Sequence, residues 1–212
     1  MSVMTTGLRE LKKQQTRQAI SDTATRLFLE RGFEEVTISD IAAAARVAKM
    51  TVTNHFPRKE DLALDYHEPF AASLASTVAA RPAGDSALAA LRREFLAAAR
   101  RHDPLAGFSG QDFAQMIVDS PTLTTRLRDL HDQREEALAR TLATDTGAGP
   151  DDIAPTAAAA LLGAAHRVLF QEVMGLTLRG RSNQEIAVAV TRSAHHVFGL
   201  LEPSLADYAV CE

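Results

Sequence analysis

The sequence predicts an all-α protein in which an N-terminal three-helix helix-turn-helix domain precedes a larger helical body, with about nine helices in total. Two observations indicate this fold class. Apolar residues recur at intervals of three and four between breaks that contain proline or glycine. Stretches in which apolar and polar residues alternate, as in half-buried strands, are absent. We expect residues 8–62 to form the first domain and residues 63–208 the second.

The second predicted helix carries clear local signals. It follows a first helix that we expect at Lys12–Arg31. Thr37 is an expected N-cap, since its hydroxyl can accept a backbone N–H of the following turn. Asp40, three residues later, can reach back to complete a capping box. Ile41 and Ala42 then lie on one apolar face, which predicts a short second helix.

A third short helix carries the most informative residues. Val52 and Phe56, four residues apart, are expected to point inward, and Pro57 ends the helix because the residue before a proline is forced out of the α region. The opposite face consists of small hydrogen-bonding side chains and one cation: Lys49, Thr51, Thr53, Asn54 and His55. A polar helix face is often merely solvated. Two short helices with a cap, a proline stop and basic flanking residues instead favour a DNA-binding helix-turn-helix.

The remainder of the chain is predicted to be helical between breaks. The expected helices are Arg58 to about Ala80, Ser86–His102, Leu105–Val118, a helix that starts at Pro121, Ala157–Leu178 and Asn183–Leu201. Proline at the first helical position favours the start at Pro121. The last residues of the chain are expected to be loosely held.

Charge is distributed unevenly along the chain. Residues 1–60 hold ten basic and seven acidic side chains, a charge of +3, and the rest hold thirteen and twenty, a charge of −7. A basic end on an acidic body suits a protein that presents one end to DNA. No 18-residue apolar run is free of charge, and the N-terminus lacks an apolar signal core, so we expect a cytoplasmic protein without a membrane span.

Patterns typical of metal sites and enzymes are missing. The only cysteine is Cys211, which excludes an internal disulfide and a cysteine metal site. The histidines of the body do not form a zinc-binding pattern: His131, His166, His195 and His196. A Gly-x-Ser-x-Gly nucleophile motif is also missing. We therefore predict no catalytic residue, no metal and no cofactor.

These motifs, taken in order, resemble the N-terminal domain of the TetR family of bacterial transcriptional regulators. The resemblance covers residues 12–62. It rests on Thr16-Arg17-Gln-Ala-Ile20, Glu30-Arg-Gly32-Phe33, Thr37-Ile38-x-x-Ile41-Ala42 and Thr51-Val-Thr-Asn-His55-Phe56-x-x-Lys59-Glu60-x-Leu62. Three positions depart from the family pattern, in which the turn carries Gly and the recognition helix carries a Ser cap and a Tyr. They are Arg46, Ala48 and Thr53. A left-handed backbone at Arg46 would cost about 1–2 kcal/mol, so a reshaped turn is the alternative.

The resemblance implies specific DNA contacts. The residues expected to position the DNA backbone are Thr37, Thr51, His55 and Lys59, with Thr53 as a shorter side chain at the position of the family's tyrosine. Lys49, Met50 and Asn54 are the expected base contacts, because lysine donates to guanine and asparagine pairs with adenine. The partner would be double-stranded operator DNA.

The resemblance also implies that the last two helices form a homodimer interface. Few charges occur between Ala157 and Leu178, so that helix must be buried on most sides. The residues we expect in the interface are Leu162, Leu169, Val173, Val190, Ala194, Val197 and Leu201. The alternative is that they form the core of one subunit.

In the resembled family an effector pocket lies within the body. The expected lining is Phe95, Phe108, Phe113, Met116, Ile117, Leu130, Arg134, His166 and Phe170. Each of these residues could instead belong to the ordinary core. The mixture predicts a small hydrophobic effector with one polar or anionic group that meets Arg134 or His166. The function expected is a repressor released from its operator by this effector. The alternative is a helical enzyme or ligand-binding protein with a vestigial DNA-binding domain.

Overall fold

The computed structural model describes residues 3–211, and the described chain is all-α, as predicted. Its helices are α1 (Val3–Arg31), α2 (Ile38–Ala44), α3 (Lys49–His55), α4 (Lys59–Ala63), α5 (His67–Ala79), α6 (Ala87–Arg101), α7 (Gln111–Asp119), α8 (Pro121–Thr146), α9 (Ala154–Leu178) and α10 (Asn183–Leu205), with a short 3₁₀ helix at Pro104–Ala106. Within the described residues, β structure is limited to one isolated antiparallel bridge between Ser86 and Val210.

The predicted fourth helix is interrupted, which is why the described chain has ten α-helices and not nine. The backbone leaves the helical region at Leu64, with φ −110° and ψ 56°. Contacts with α1 hold the break: the Ser21 hydroxyl donates to the Asp65 carboxylate at 2.5 Å, and Arg17 donates to the Asp65 carbonyl at 3.5 Å. The apolar periodicity of the sequence continues through this break, so the sequence pattern did not reveal it. The sequence prediction of one helix from Arg58 to about Ala80 is therefore wrong.

The chain divides into two compact units. The first comprises the chain up to His67 together with Gln115–Arg126, and the second comprises Glu68–Ala114 and the chain from Leu127 onward. The segment Gln115–Arg126 lies in the body of the predicted division, but the structure groups it with the helix-turn-helix. Helix α8 thus starts in the first unit and continues in the second.

Each unit has its own apolar core. In the first, Ile20, Phe28, Ile41, Val52 and Phe56 are all buried. In the second, one continuous cluster joins side chains of α5, α6, α8, α9 and α10, including Leu74, Leu91, Leu138, Leu169 and Val190. Each such side chain contributes about 1.5–3 kcal/mol on burial. These apolar faces, rather than helix propensity, are the main source of helix stability.

The turn between α2 and α3 keeps the left-handed geometry that the family pattern implies. Arg46 has φ 56°, although it is not glycine. Its N–H donates to the Ala43 carbonyl and the Val47 N–H donates to the Ala42 carbonyl. This pair of hydrogen bonds is a Schellman motif, which needs a left-handed residue at this position. The turn is therefore not reshaped, and Arg46 bears the conformational cost.

The C-terminal end is anchored to the second unit. The Gly84 N–H donates to the Cys211 carbonyl at 2.8 Å, and the Cys211 N–H donates to the Asp85 carbonyl at 3.0 Å. Buried Arg81 donates to the Ala209 carbonyl at 3.1 Å and pairs with Asp145 at 2.7 Å. The expectation of a loosely held end is therefore wrong for the described residues.

No helix among the described residues combines the length and the apolar character needed to cross a bilayer.

The strain at Arg46 gives a testable prediction. Arg46→Gly should raise the free energy of unfolding by about 0.5–1 kcal/mol, because relief of the left-handed strain exceeds the entropy that glycine loses on folding. Urea unfolding followed by circular dichroism measures the change. The control is Ala45→Gly at the adjacent residue, whose φ is −79°. Glycine there relieves no strain and should destabilise by about 0.5–1 kcal/mol. A loss of stability in Arg46→Gly would contradict the prediction.

Candidate functional site

Helix α3 separates its buried and exposed residues as the sequence predicts. Val52 and Phe56 are buried in the core of the first unit. Lys49, Met50 and Asn54 are exposed, and 68% of Met50 is accessible. We call these three residues the recognition face. An exposed methionine of this size, flanked by a cation and an amide, is a surface that can contact base edges.

The capping box predicted at the start of α2 is confirmed. The Asp40 N–H donates to the Thr37 hydroxyl at 3.1 Å, and the Thr37 N–H and hydroxyl donate to the Asp40 carboxylate at 2.9 and 2.7 Å. These hydrogen bonds hold the pKa of Asp40 below its usual value. Thr37 is exposed, so its hydroxyl oxygen can still accept a hydrogen bond from another molecule. Its O–H group already donates to Asp40.

Arg17 positions α3 through contacts that the sequence did not identify. Its guanidinium lies 4.1 Å from the centre of the Phe56 ring and donates to the His55 carbonyl at 3.0 Å. It thereby satisfies a carbonyl at the C-terminal end of α3 and joins that end to α1. The Thr16-Arg17 motif drew attention to this arginine. Sequence spacing could not indicate that its partner, His55, lies 38 residues away.

Two side chains that we predicted to contact the DNA backbone, Lys59 and Thr53, form hydrogen bonds within the first unit. The Lys59 ammonium donates to the Glu34 carbonyl at 3.3 Å and lies 4.2 Å from the centre of the Phe33 ring. Burial lowers the pKa of Lys59. The Thr53 hydroxyl donates to the Met50 carbonyl at 3.2 Å, so it points back along its own helix. Both remain predicted DNA contacts, but each would have to give up or share an internal bond.

Thr51 and His55 are half-buried beside the recognition face. Burial, with additional repulsion from Lys13 and Arg17, lowers the pKa of His55, so the imidazole is neutral at pH 7. A neutral His55 can donate one hydrogen bond to a phosphate but adds no charge. Ala48 provides no side-chain cap to α3, as its sequence implies.

The start of α8 is fixed to α4 by a buried ion pair. Arg126 donates from Nε and Nη2 to the same Asp61 oxygen at 3.1 and 2.8 Å, and both side chains are at least nine-tenths buried. The Ser120 hydroxyl donates to Glu34 at 2.5 Å just before α8 begins. These contacts explain why Gln115–Arg126 belongs to the first unit.

The predicted effector residues are divided between the two units. Met116 and Ile117 are buried in the first unit. The others belong to the second unit: Phe95, Phe108, Phe113, Leu130, Arg134, His166 and Phe170. Phe95 and Phe108 are part of its apolar core. Arg134, His166 and Phe170 belong to a polar and aromatic cluster within the same unit.

Three buried nitrogen side chains form what we call the cation cluster: His131, Arg134 and His166. Each is less than 8% exposed. Arg134 contacts the Phe70 ring at 4.5 Å and donates from Nε to the Ser73 hydroxyl at 2.8 Å. The sequence prediction missed His131 as a lining residue. Its position three residues before Arg134, on the same face of α8, was the signal available.

Burial sets the charge of the cation cluster. It lowers the pKa of Arg134 to about 9, which leaves the guanidinium protonated at neutral pH. Burial, followed by repulsion from Arg134, lowers the pKa of His131 to about 4 and that of His166 well below its usual range. Both imidazoles are therefore neutral at pH 7, and Arg134 carries the charge of the cluster. The Nε2 atom of His166 has no hydrogen-bond partner among the described residues.

Aromatic rings surround this cluster. Phe70 and Phe170 meet the His131 ring edge-on at centroid distances of 5.0 and 5.2 Å. Phe95 and Phe198 meet the His166 ring at 5.7 and 5.4 Å. Edge-to-face contacts of this kind are favourable and leave the polar nitrogens in apolar surroundings.

Five of the seven predicted dimer-interface residues are buried within this single chain: Leu162, Leu169, Val173, Val190 and Ala194. Val197 and Leu201 are half-buried against the same core. The apolar pattern extends around both helices, and the structure exposes its other side. Leu161, Ala164 and Val168 of α9 and Val188 and Leu200 of α10 are exposed, and we call them the outer face.

Among the residues that the structure describes, histidine, cysteine and carboxylate side chains do not group in a way that could hold a metal ion.

Comparison with known proteins shows similarity over both parts of the chain. Residues 20–66 match the family model described as bacterial regulatory proteins, tetR family. The HTH-type transcriptional regulator TcmR of Streptomyces glaucescens is 30% identical over 172 residues, which cover 78% of this chain and 76% of TcmR.

Solved structures show the same fold at lower identity. The SmeT–triclosan complex aligns with a TM-score of 0.56 at 19% identity, over 92% of this chain and 94% of SmeT. NalD of Pseudomonas aeruginosa, the secondary repressor of the MexAB-OprM multidrug efflux pump, aligns with a TM-score of 0.54 at 20% identity, over 92% of this chain and 98% of NalD.

The buried ion pair at the start of α8 gives a prediction. Arg126→Met should lower the free energy of unfolding by about 3–5 kcal/mol, because it leaves the Asp61 carboxylate buried without a partner. The double variant Asp61→Leu, Arg126→Met should recover most of this loss, since it removes both charges. Urea unfolding measures both. The control is Arg128→Met, two residues along α8, where the side chain is exposed. Equal effects at positions 126 and 128 would contradict the prediction.

Proposed function

The chain belongs to the TetR family of bacterial transcriptional regulators, and on that premise we propose that it is a homodimeric repressor released from operator DNA by a small effector. The family membership confirms the resemblance seen in the sequence and the prediction of a DNA-binding transcriptional regulator. Members of this family are regulators and not enzymes, which removes the alternative of an enzyme with a vestigial DNA-binding domain. The observation that carries the proposal is the recognition face of α3, exposed above buried Val52 and Phe56.

We assign base contacts to the recognition face. Lys49 can donate to guanine, Asn54 can form two hydrogen bonds with adenine, and Met50 offers an apolar contact to a thymine methyl group. We assign Thr37, Thr51, His55 and Lys59 as contacts to the DNA backbone. Thr53 has a lesser role, because its hydroxyl is hydrogen-bonded to its own helix. The basic charge of residues 1–60 supports these assignments, since phosphate contacts provide much of the affinity for DNA.

A dimer is the arrangement that a two-fold operator requires, with two recognition helices about 34–36 Å apart. We place its interface on the outer face of α9 and α10. Val188 and Leu200 are about two-thirds exposed, at 65% and 67%, and a soluble helical protein usually buries residues of this kind when they cluster. The same residues on both copies would meet, as a two-fold interface demands.

The similarity to SmeT, whose structure contains triclosan, and to NalD supports the proposal that a small hydrophobic molecule controls this chain. Such an effector induces only if it binds the conformation that does not bind DNA more tightly than the conformation that does. Effector and operator then weaken each other's binding by the same factor. A protein that acts on operator DNA works in the cytoplasm.

We propose that α8 carries the signal. The helical path from α4 to α5 is interrupted at Leu64, whereas α8 is continuous. Its residue Arg126 pairs with Asp61 of α4, and its residue Arg134, about 12 Å further along the axis, belongs to the cation cluster. A displacement of α8 by a ligand at Arg134 would therefore act on the helix that follows the recognition helix.

Base contact by Asn54 is tested by substitution. Asn54→Ala should weaken binding to the best operator, selected from a random duplex pool, by about 1–3 kcal/mol, and weaken binding to random duplex much less. Fluorescence anisotropy at fixed salt measures both affinities. Asn183→Ala, at an exposed asparagine of α10, is the control and should leave both unchanged. An equal loss on the two duplexes would make Asn54 a backbone contact. Failure of the unaltered protein to bind any duplex would overturn the proposed function.

The outer face is tested by oligomeric state. Val168→Glu places a charge within the proposed apolar interface, where burial is costly, and should shift the protein to monomer. Analytical ultracentrifugation measures the mass. Val118→Glu is a matched control, because Val118 and Val168 are each 54% exposed. A dimer of normal mass in Val168→Glu would place the interface elsewhere.

A further inference from the structure

Arg134 differs from the other buried arginines of the described chain. Arg81 and Arg126 are each paired with a carboxylate, Asp145 and Asp61, at 2.7 and 2.8 Å. Arg134 is 6% exposed and has no carboxylate partner among the described residues. Its guanidinium has five N–H donors, and only Nε–H has a protein acceptor there, the Ser73 hydroxyl. A buried cation left in this state destabilises the fold unless something else pairs with it.

The carboxylates nearest to Arg134 in the sequence pair with another arginine. Asp132 and Glu135 flank Arg134 in the sequence, but both pair with Arg167, at 2.9 and 3.8 Å. The neighbours that do face Arg134 are the Phe70 ring and the Ser73 hydroxyl. The protein therefore surrounds one positive charge with aromatic rings, hydrogen-bonding groups and neutral imidazoles, and provides no counter-charge.

We propose that the effector is an aromatic carboxylic acid, bound as the anion by the Arg134 guanidinium. This inference rests on the proposed function, because it names the chemistry of the effector. The free N–H groups of a planar guanidinium match the two oxygens of a carboxylate. The unpartnered Nε2 of His166 offers a further hydrogen bond. The aromatic body of the ligand contacts Phe70 and Phe170.

The same packing explains how binding would change the conformation. The rings of Phe70, His131 and Phe170 contact one another with centroid separations of 5.0, 5.2 and 5.7 Å, so they fill the space beside Arg134. The aromatic body of the ligand takes a place that one of these rings occupies. Displacement of His131 or Phe70 changes the packing of α8 against α5, which is the kind of differential contact that induction needs.

The test uses matched pairs of acids and uncharged amides: benzoate and benzamide, 2-naphthoate and 2-naphthamide, and anthracene-2-carboxylate and its amide. Binding to the full-length protein without DNA is measured by calorimetry. We expect the acid of at least one pair to bind about tenfold or more tightly than its amide, as charge-assisted hydrogen bonds predict. Arg134→Met should remove this preference, and Arg140→Met, at an exposed arginine of the same helix, should preserve it. If no acid exceeds its amide, or if Arg134→Met keeps the preference, the inference is overturned.

A second measurement separates ligand recognition from a structural role. Because Arg134 has no protein counter-ion, Arg134→Met should leave the melting temperature of the free protein unchanged or raised, in contrast to Arg126→Met. A fall as large as that in Arg126→Met would make Arg134 a structural residue and overturn the inference.

The proposed function is judged separately. If uncharged ligands release the operator while acids show no preference, the function stands and the inference fails. If acids bind through Arg134 but no duplex is bound, the inference about the ligand stands and the function fails.

Discussion

Helix α3 contains only seven residues, and a helix of that length is not stable alone in water. It also lacks a side-chain cap at Ala48. It forms because Val52 and Phe56 are buried in the first unit, and because Arg17 packs on Phe56 and binds the carbonyl of His55. The positions of Lys49, Met50 and Asn54 depend on these contacts, so the DNA recognition proposed for them rests on two apolar side chains and one arginine from another helix.

Arginine has three different structural roles in this protein. Arg17 is a bridge between helices that uses its ring contact and two carbonyls. Arg81 and Arg126 are members of buried ion pairs, in which the carboxylate compensates for the loss of water. Arg134 is buried without a counter-ion among the described residues. This contrast argues against a purely structural role for Arg134, because the buried guanidinium groups with a structural role in the same fold are each paired with a carboxylate.

Helix α8 connects these roles along one continuous element. Its start is fixed to α4 through the Arg126–Asp61 ion pair, and Ser120, just before it, binds Glu34 between α1 and α2. Its middle carries His131 and Arg134. Helix α4 and helix α5 are separated by the break at Leu64. This makes α8 the more direct mechanical path in the proposed control of DNA binding.

The sequence by itself determined the all-α class, the capping box at Thr37 and Asp40, the stop at Pro57, and the division of α3 into buried and exposed sides. These features depend on residues within one or two turns, and local spacing is sufficient for them. Through the family resemblance it also predicted Arg134, His166 and Phe170 as lining of an effector pocket. Only the tertiary structure decided the break at Leu64, the grouping of Gln115–Arg126 with the first unit, and the internal contacts of Lys59. It also decided which side of α9 and α10 is buried, because the apolar pattern extends around both helices. Each of these outcomes depends on partners tens of residues away, such as Ser21 for Asp65 and Asp61 for Arg126, and helical periodicity contains no information about such partners.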